Sequence, residues 1–239
     1  MKRTGLLSLA IAAVMSIPLV HAGLAQERQE PKVNIPQPGV PQVMTLEGTW
    51  VRAAYNNEGY AILGYRLANN SIGEEWMLLE FGVTVRDGVP SQVLTREDLS
   101  LDTPDGKTIP IATVKAYREA NLSALKNRSR VTRDSINYFP PSATRACRMG
   151  FFSDLDSPVM AWDEVELSDQ RACLGQLYFQ IPGGITFGQY WLNVKFEKSL
   201  VRVPFRILTK DEERLVSRNF GDIRKQVQDA FKPKPKPKS

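Results

Sequence analysis

Histidine is almost absent from this chain. The only one among 239 residues is His21, at the end of an apolar N-terminal run, so the body carries no imidazole. That absence excludes Ser-His-Asp and Cys-His catalysis, His-ligated zinc or copper and a histidine pH switch. Cysteine is nearly as scarce, with Cys147 and Cys173 alone. Beyond the first 25 residues no segment approaches the about 20 apolar residues that a membrane-spanning helix needs. Excess charge is lacking too. The formal net charge is +5, but of 31 basic residues Lys2 and Arg3 stand at the start, and Lys232, Lys234, Lys236 and Lys238 lie in the last eight positions. The remaining 25 face 26 acidic residues, and so neutral a body does not point to nucleic acid.

What is present begins with an export signal. Lys2 and Arg3 precede the uncharged run Gly5 to Val20, which Pro18 breaks. Val20-His21-Ala22 and Gly23-Leu24-Ala25 then supply small-residue exits, so residues 1–25 read as a secretory signal peptide. An uncleaved anchor is the competing reading, and no cysteine follows the run to carry a lipid. The expected location is the periplasm or the medium. In such a compartment an even cysteine count predicts a Cys147–Cys173 disulfide. Closing its 26-position loop is worth about 3–4 kcal/mol in the chain-entropy model. The alternative is a free thiol.

Residues 26–45 carry Pro31, Pro36, Pro38 and Pro41 and read as an extended linker. From residue 46 to 208 period-2 alternation is frequent. Thr49, Val51, Ala53 and Tyr55 share one strand face, with Trp50 and Arg52 on the other. Ala61, Leu63, Tyr65 and Leu67 form the next inward set, and Met77, Leu79, Phe81, Val83 and Val85 give the clearest strand before the Asp87-Gly88 turn. Short strands follow near residues 92–94, 99–101 and 108–111. The rhythm then stops, and residues 112–140 read as a helical insertion, with one helix over 112–127 and a shorter piece over 131–138. Strands resume at Val165 and Leu167, at Leu177, Phe179 and Ile181, at Tyr190 to Phe196, and at Val201 to Ile207. Pro204 places the last near an edge. Thr209-Lys-Asp-Glu212 has capping-box form and opens an amphipathic helix over 209–231, striped by Val216, Phe220, Ile223, Val227 and Phe231. That stripe suits packing on the sheet or docking of a partner. Residues 232–239 are a Lys-Pro tail, either solubilising or a contact for anionic surfaces.

Candidate chemistry is thin. Ser123-Ala-Leu-Lys126 has the Ser-x-x-Lys spacing of penicillin-binding-type acyltransferases, without the partner motifs, and reads as chance. Asp154, Asp156, Asp163, Glu164, Glu166 and Asp169 form an acidic segment. Two of its carboxylates could serve a glycan hydrolase, and Asp154-Leu-Asp156-Ser157 loosely suggests calcium ligands, but the calcium loop's Gly and terminal Glu are missing. A solvated loop is the plainer reading, and no cofactor is expected. Trp50, Trp76 and Trp191 alternate against the inward residues of their strands, so they form a candidate binding surface for a glycan or peptide unless helices cover them.

The stretch from Leu63-Gly-Tyr65-Arg-Leu-Ala-Asn69-Asn through Leu79-Glu-Phe81-Gly-Val83 to Leu94-Thr95-Arg-Glu-Asp98-Leu99 and Thr103-Pro-Asp-Gly106 resembles immunoglobulin-like domains of bacterial exported proteins. The likeness covers about a third of the chain, rests on turn and strand chemistry, and ends at the helical insertion and the C-terminal helix. It implies a fold and names no substrate. The expectation is a mainly β protein, an antiparallel immunoglobulin-like β-sandwich with a helical insertion and a C-terminal amphipathic helix. Its expected role is non-enzymatic, a binding or envelope-assembly module for another envelope protein or a glycan. The alternative is a carboxylate-based glycan hydrolase.

Overall fold

The computed structural model describes residues 42–152 and 160–230. The expected signal peptide, the expected linker as far as residue 41, Asp154 and Asp156, Phe231 and the Lys-Pro tail lie outside the described residues.

The protein is mainly β. In chain order the elements are β1 (Val43–Gly48), β2 (Val51–Tyr55), β3 (Gly59–Gly64), α1 (Arg66–Asn69), β4 (Trp76–Val85), β5 (Gln92–Thr95), β6 (Leu99–Asp102) and β7 (Thr108–Pro110). Next come α2 (Val114–Glu119), α3 (Ser123–Val131), β8 (Arg145–Arg148), β9 (Glu164–Leu167), β10 (Arg171–Gln180), β11 (Gly188–Lys195), β12 (Leu200–Ile207) and α4 (Lys210–Ala230). Six strands form one sheet in the order β1-β2-β3-β4-β10-β8, four form a second in the order β12-β11-β6-β7, and β5 pairs with β9. Every pairing is antiparallel except β8 with β10.

The alternation in the sequence explains the main core. Met77, Leu79, Phe81, Val83 and Val85 of β4 are buried with Leu177 and Phe179 of β10, and Tyr190, Leu192, Val194, Val201, Val203, Phe205 and Ile207 enter the same cluster from the second sheet. An aromatic chain joins the two sheets: Trp50 meets Tyr65 edge-on at 5.5 Å, Tyr65 meets Phe205 at 5.2 Å, and Phe205 stacks on Tyr190 at 5.4 Å. Turns are locked as well. The buried Glu58 carboxylate, in the β2–β3 turn, accepts the Lys198 N–H at 3.0 Å and the Ser199 hydroxyl at 2.5 Å from the β11–β12 turn.

The structure departs from the sequence expectations in four places. Among the described residues the first strand begins at Val43, inside the expected linker. Residues 112–127 hold two short helices broken at Ala120 to Leu122, and residues 133–138 are irregular rather than helical. Gly221 leaves α4 undivided. In β2 the faces are reversed: Trp50 lies in the main core at 8% exposure, while Val51 and Ala53 join Tyr60, Ile62 and Ile136 in a second cluster. Alternation identifies two faces of a strand; where both are covered, it does not say which is the inner one.

Candidate functional site

The insertion expected from the sequence covers the outer face of the six-stranded sheet, and strand glycines make room for it. A Cβ built on Gly64 would stand 2.6 Å from Asp134 Cβ, and one on Gly82 would stand 2.8 Å from the Phe139 ring. Glycine within a strand marks such close approach. Three contacts hold the cover down. The buried Arg96 guanidinium donates to the carbonyls of Ala112 and Phe151 and lies over the Phe152 ring at 4.6 Å. Asp134 Oδ2 accepts the Arg66 N–H at 2.9 Å, and its Oδ1 stands 3.1 Å from Arg66 Nε. On the other side Tyr117, Phe152 and Tyr178 pack with ring centroids 4.8–5.0 Å apart.

Between the Asp134 contact and the aromatic cluster the cover parts. The opening is a cavity of about 430 Å³. Its floor is Glu80 of β4 and Gln176 of β10, directly opposite in the strand register, with Gln176 Nε2 donating to Glu80 Oε1 at 3.0 Å. The Tyr178 hydroxyl donates to Gln176 Oε1 at 3.1 Å. Asp134 sits above Gly64, the β3 residue registered against Glu80, so the two carboxyls occupy one row across the sheet. Burial pushes the Glu80 carboxyl above its ordinary range, against the hydrogen bond from Gln176 and the Arg133 charge. Burial also raises Asp134, outweighing the Arg66 N–H and the charges of Arg66 and Arg52. The exposed Arg133 and Arg148 line the rim. Perturbed carboxyls in a concave site mark a candidate for binding or catalysis.

The tryptophans are not brought onto one surface. Trp50 faces the core. Trp76 is half-buried on the face of β4 opposite Met77. Trp191 is half-buried on the outer face of the four-stranded sheet, with the Arg202 guanidinium 4.9 Å above its ring. Arg202 in turn bonds Asp102 at 2.6 Å and Asn193 at 3.0 Å. Within the acidic segment, Glu164 and Glu166 are exposed on β9, and Glu166 pairs with Arg171 at 2.9 Å. Lys126 of the Ser-x-x-Lys match has its Nζ 4.7 Å from the Tyr117 ring centre. Cys147 and Cys173 are directly registered between β8 and β10 and stand at disulfide distance, 2.19 Å between sulfurs.

Helix α4 is a separate feature. None of its described side chains is fully buried, and Val216, Phe220, Ile223 and Val227 are half-covered. It runs beside β1, where Arg224 pairs with Glu47 at 3.2 Å. Leu215 is 62% exposed.

Sequence reasoning missed the groove because Glu80 reads as an outward residue on a wet face. The signal that could have found it is the pair of in-strand glycines, Gly64 and Gly82, which mark where another segment packs. Comparison with protein-family models, curated proteins and solved structures finds no match to this chain.

Proposed function

We propose that this protein is an exported, non-enzymatic module of the bacterial envelope, an immunoglobulin-like β-sandwich that holds another envelope protein through its C-terminal helix. One observation carries the reading: α4 extends over 21 residues without fully burying a described side chain, and its apolar stripe is only half-covered. A surface helix turns its apolar stripe to the core, and of this stripe Val216 alone among the described residues is packed against the main cluster. Amphipathic helices with uncovered apolar surface dock into grooves of other proteins. The export signal and the near-neutral body agree with a protein partner outside the cytoplasm. The test compares capture from the native envelope by the mature protein and by a version ending at Ile207. The reading expects a partner held by the first, lost by the second, and displaced by a peptide spanning residues 209–231. Equal capture by both versions, or no displacement, overturns it.

A second reading, a carboxylate-based glycan hydrolase, has one observation in its favour: Glu80 and Asp134 line one groove with both carboxyls raised by burial. A raised carboxyl suits a general acid. It expects new reducing ends from cell-wall glycan, abolished by Glu80→Gln. Intact glycan after prolonged incubation removes it.

A further inference from the structure

We infer that the groove over Glu80 and Gln176 binds a short, neutral, hydroxyl-rich glycan and does not cleave it. This goes beyond the docking role of α4 and concerns a different face of the molecule.

Charge comes first. Glu80 and Asp134 line the groove together with Arg133 and Arg148, two acidic groups against two basic ones. A ligand of either sign meets repulsion as well as attraction there, so recognition falls to hydrogen bonding. The floor offers that chemistry. Glu80 has a second carboxylate oxygen beyond the one bonded to Gln176, and the Gln176 amide has a second N–H. Exposed Ser135 and Asn137 add a hydroxyl and an amide to one wall. Such a mix of acceptors and donors matches the alternating demands of sugar hydroxyls.

Apolar surface comes second. Phe152, Met149 and Leu174 belong to the groove's lining, so part of the surface that a pyranose would meet is apolar. A volume of about 430 Å³ lies in the range of small-molecule sites. It suits one or two sugar rings and not a polymer. Cleavage is not part of the inference, because Asp134 is already engaged. Its Oδ2 holds the Arg66 N–H, and its side chain fills the space above Gly64. It is a positioning residue for the wall.

The experiment is titration of the full mature chain with cellobiose, maltose and N,N′-diacetylchitobiose, followed by calorimetry and by amide NMR shifts. The expected result is saturable binding of at least one sugar, unaffected by added salt. Shifts should centre on residues 80, 135–137 and 176. Gln176→Ala is expected to weaken binding about tenfold or more. Asn137→Ala changes an exposed side chain that leaves the core alone, so it serves as the second variant and should weaken the same sugar. The inference is overturned if none of the three sugars binds, if both folded variants bind as the wild type does, or if a chitotetraose substrate is cut. Strong salt dependence would also overturn it, since that places a charged ligand in the groove. Loss of partner capture on removing α4 bears on the docking proposal alone.

Discussion

Replacing Asp134 with alanine tests how the groove wall is held. The substitution removes the acceptor of the Arg66 N–H, at 2.9 Å, and the charge partner of Arg66 Nε, at 3.1 Å. A donor deprived of its partner in a buried setting costs about 1–3 kcal/mol. The ion pair itself adds little, because the Arg66 side chain is 47% exposed and its charge returns to water. The Cβ that fills the space over Gly64 is retained, so no large void opens. The expected loss is about 2 kcal/mol, or a fall of about 4–8 °C in Tm for a domain of this size. Its pH dependence follows from the direction of the Asp134 shift. Burial raises the carboxyl above its ordinary 3.8, so its stabilisation is complete below that value and declines as pH rises through the raised one. The gap between wild type and variant should therefore be wider near about pH 4 than near about pH 7. Thermal melts followed by circular dichroism at both pH values measure it. A shift under about 1 °C at both values, or a gap that widens as pH rises, refutes the reasoning.

Glu80→Gln should leave the Gln176 hydrogen bond in place while removing a carboxyl that burial raises. Wild-type stability should therefore decline with rising pH more steeply than the variant's, read as urea midpoints between about pH 4.5 and pH 8. Parallel profiles would contradict this. Cys147→Ser removes the bond between β8 and β10 and opens a loop of separation 26, with an expected loss of about 3–4 kcal/mol in the chain-entropy model. A reductant should destabilise the wild type by the same amount and leave the variant unchanged. Trp50→Ala should cost about 3–5 kcal/mol because the ring is 8% exposed and packs on Tyr65. Trp191→Ala, which loses mainly its contact with Arg202, should cost about 1 kcal/mol. Equal losses from the two tryptophan variants would show that their faces are misassigned.

Legibility differed along the chain for physical reasons. The strands β4, β11 and β12 and the second half of β10 were readable because both their period and their composition are set by a buried face, as Met77 to Val85 shows; Arg171 to Gly175 of β10 were not. The capping box of α4 was readable because its chemistry is local: Glu212 accepts the Thr209 N–H and the Glu212 N–H reaches back to Thr209 Oγ1. What stayed hidden is non-local. The parallel pairing of β8 with β10 has no local signature, since Arg145 to Arg148 neither alternates nor runs apolar. The side of β2 that faces the core depends on Ile136 and Phe139 arriving from far along the chain to cover the other side. The groove was least legible of all. It is a gap between two covering segments, and its floor residues differ from solvent-facing ones only in what lies beside them.

The positions of the groove and of α4 make the two proposals separable. The groove lies over β4 and β10, and α4 lies beside β1, three strands from β4 in the order of the sheet. At about 4.8 Å between neighbouring strands that is about 14 Å. Effects at sites more than about 7–10 Å apart with no shared partner add. Removing α4 should therefore leave sugar binding at the groove unchanged, and Gln176→Ala should leave partner capture unchanged. Coupling between them has two routes: the β1–β2–β3 ladder that ends at Gly64, under Asp134, and the main core, against which Val216 of α4 packs and to which Tyr178 of the groove belongs. A truncation at Ile207 that also weakened sugar binding would mean either that β1, freed of its Arg224–Glu47 pair, had shifted that ladder, or that the core had relaxed where Val216 was lost. The amide shifts of β1 to β3 would move in the first case, and unmoved shifts there would place the coupling in the core beneath Val216.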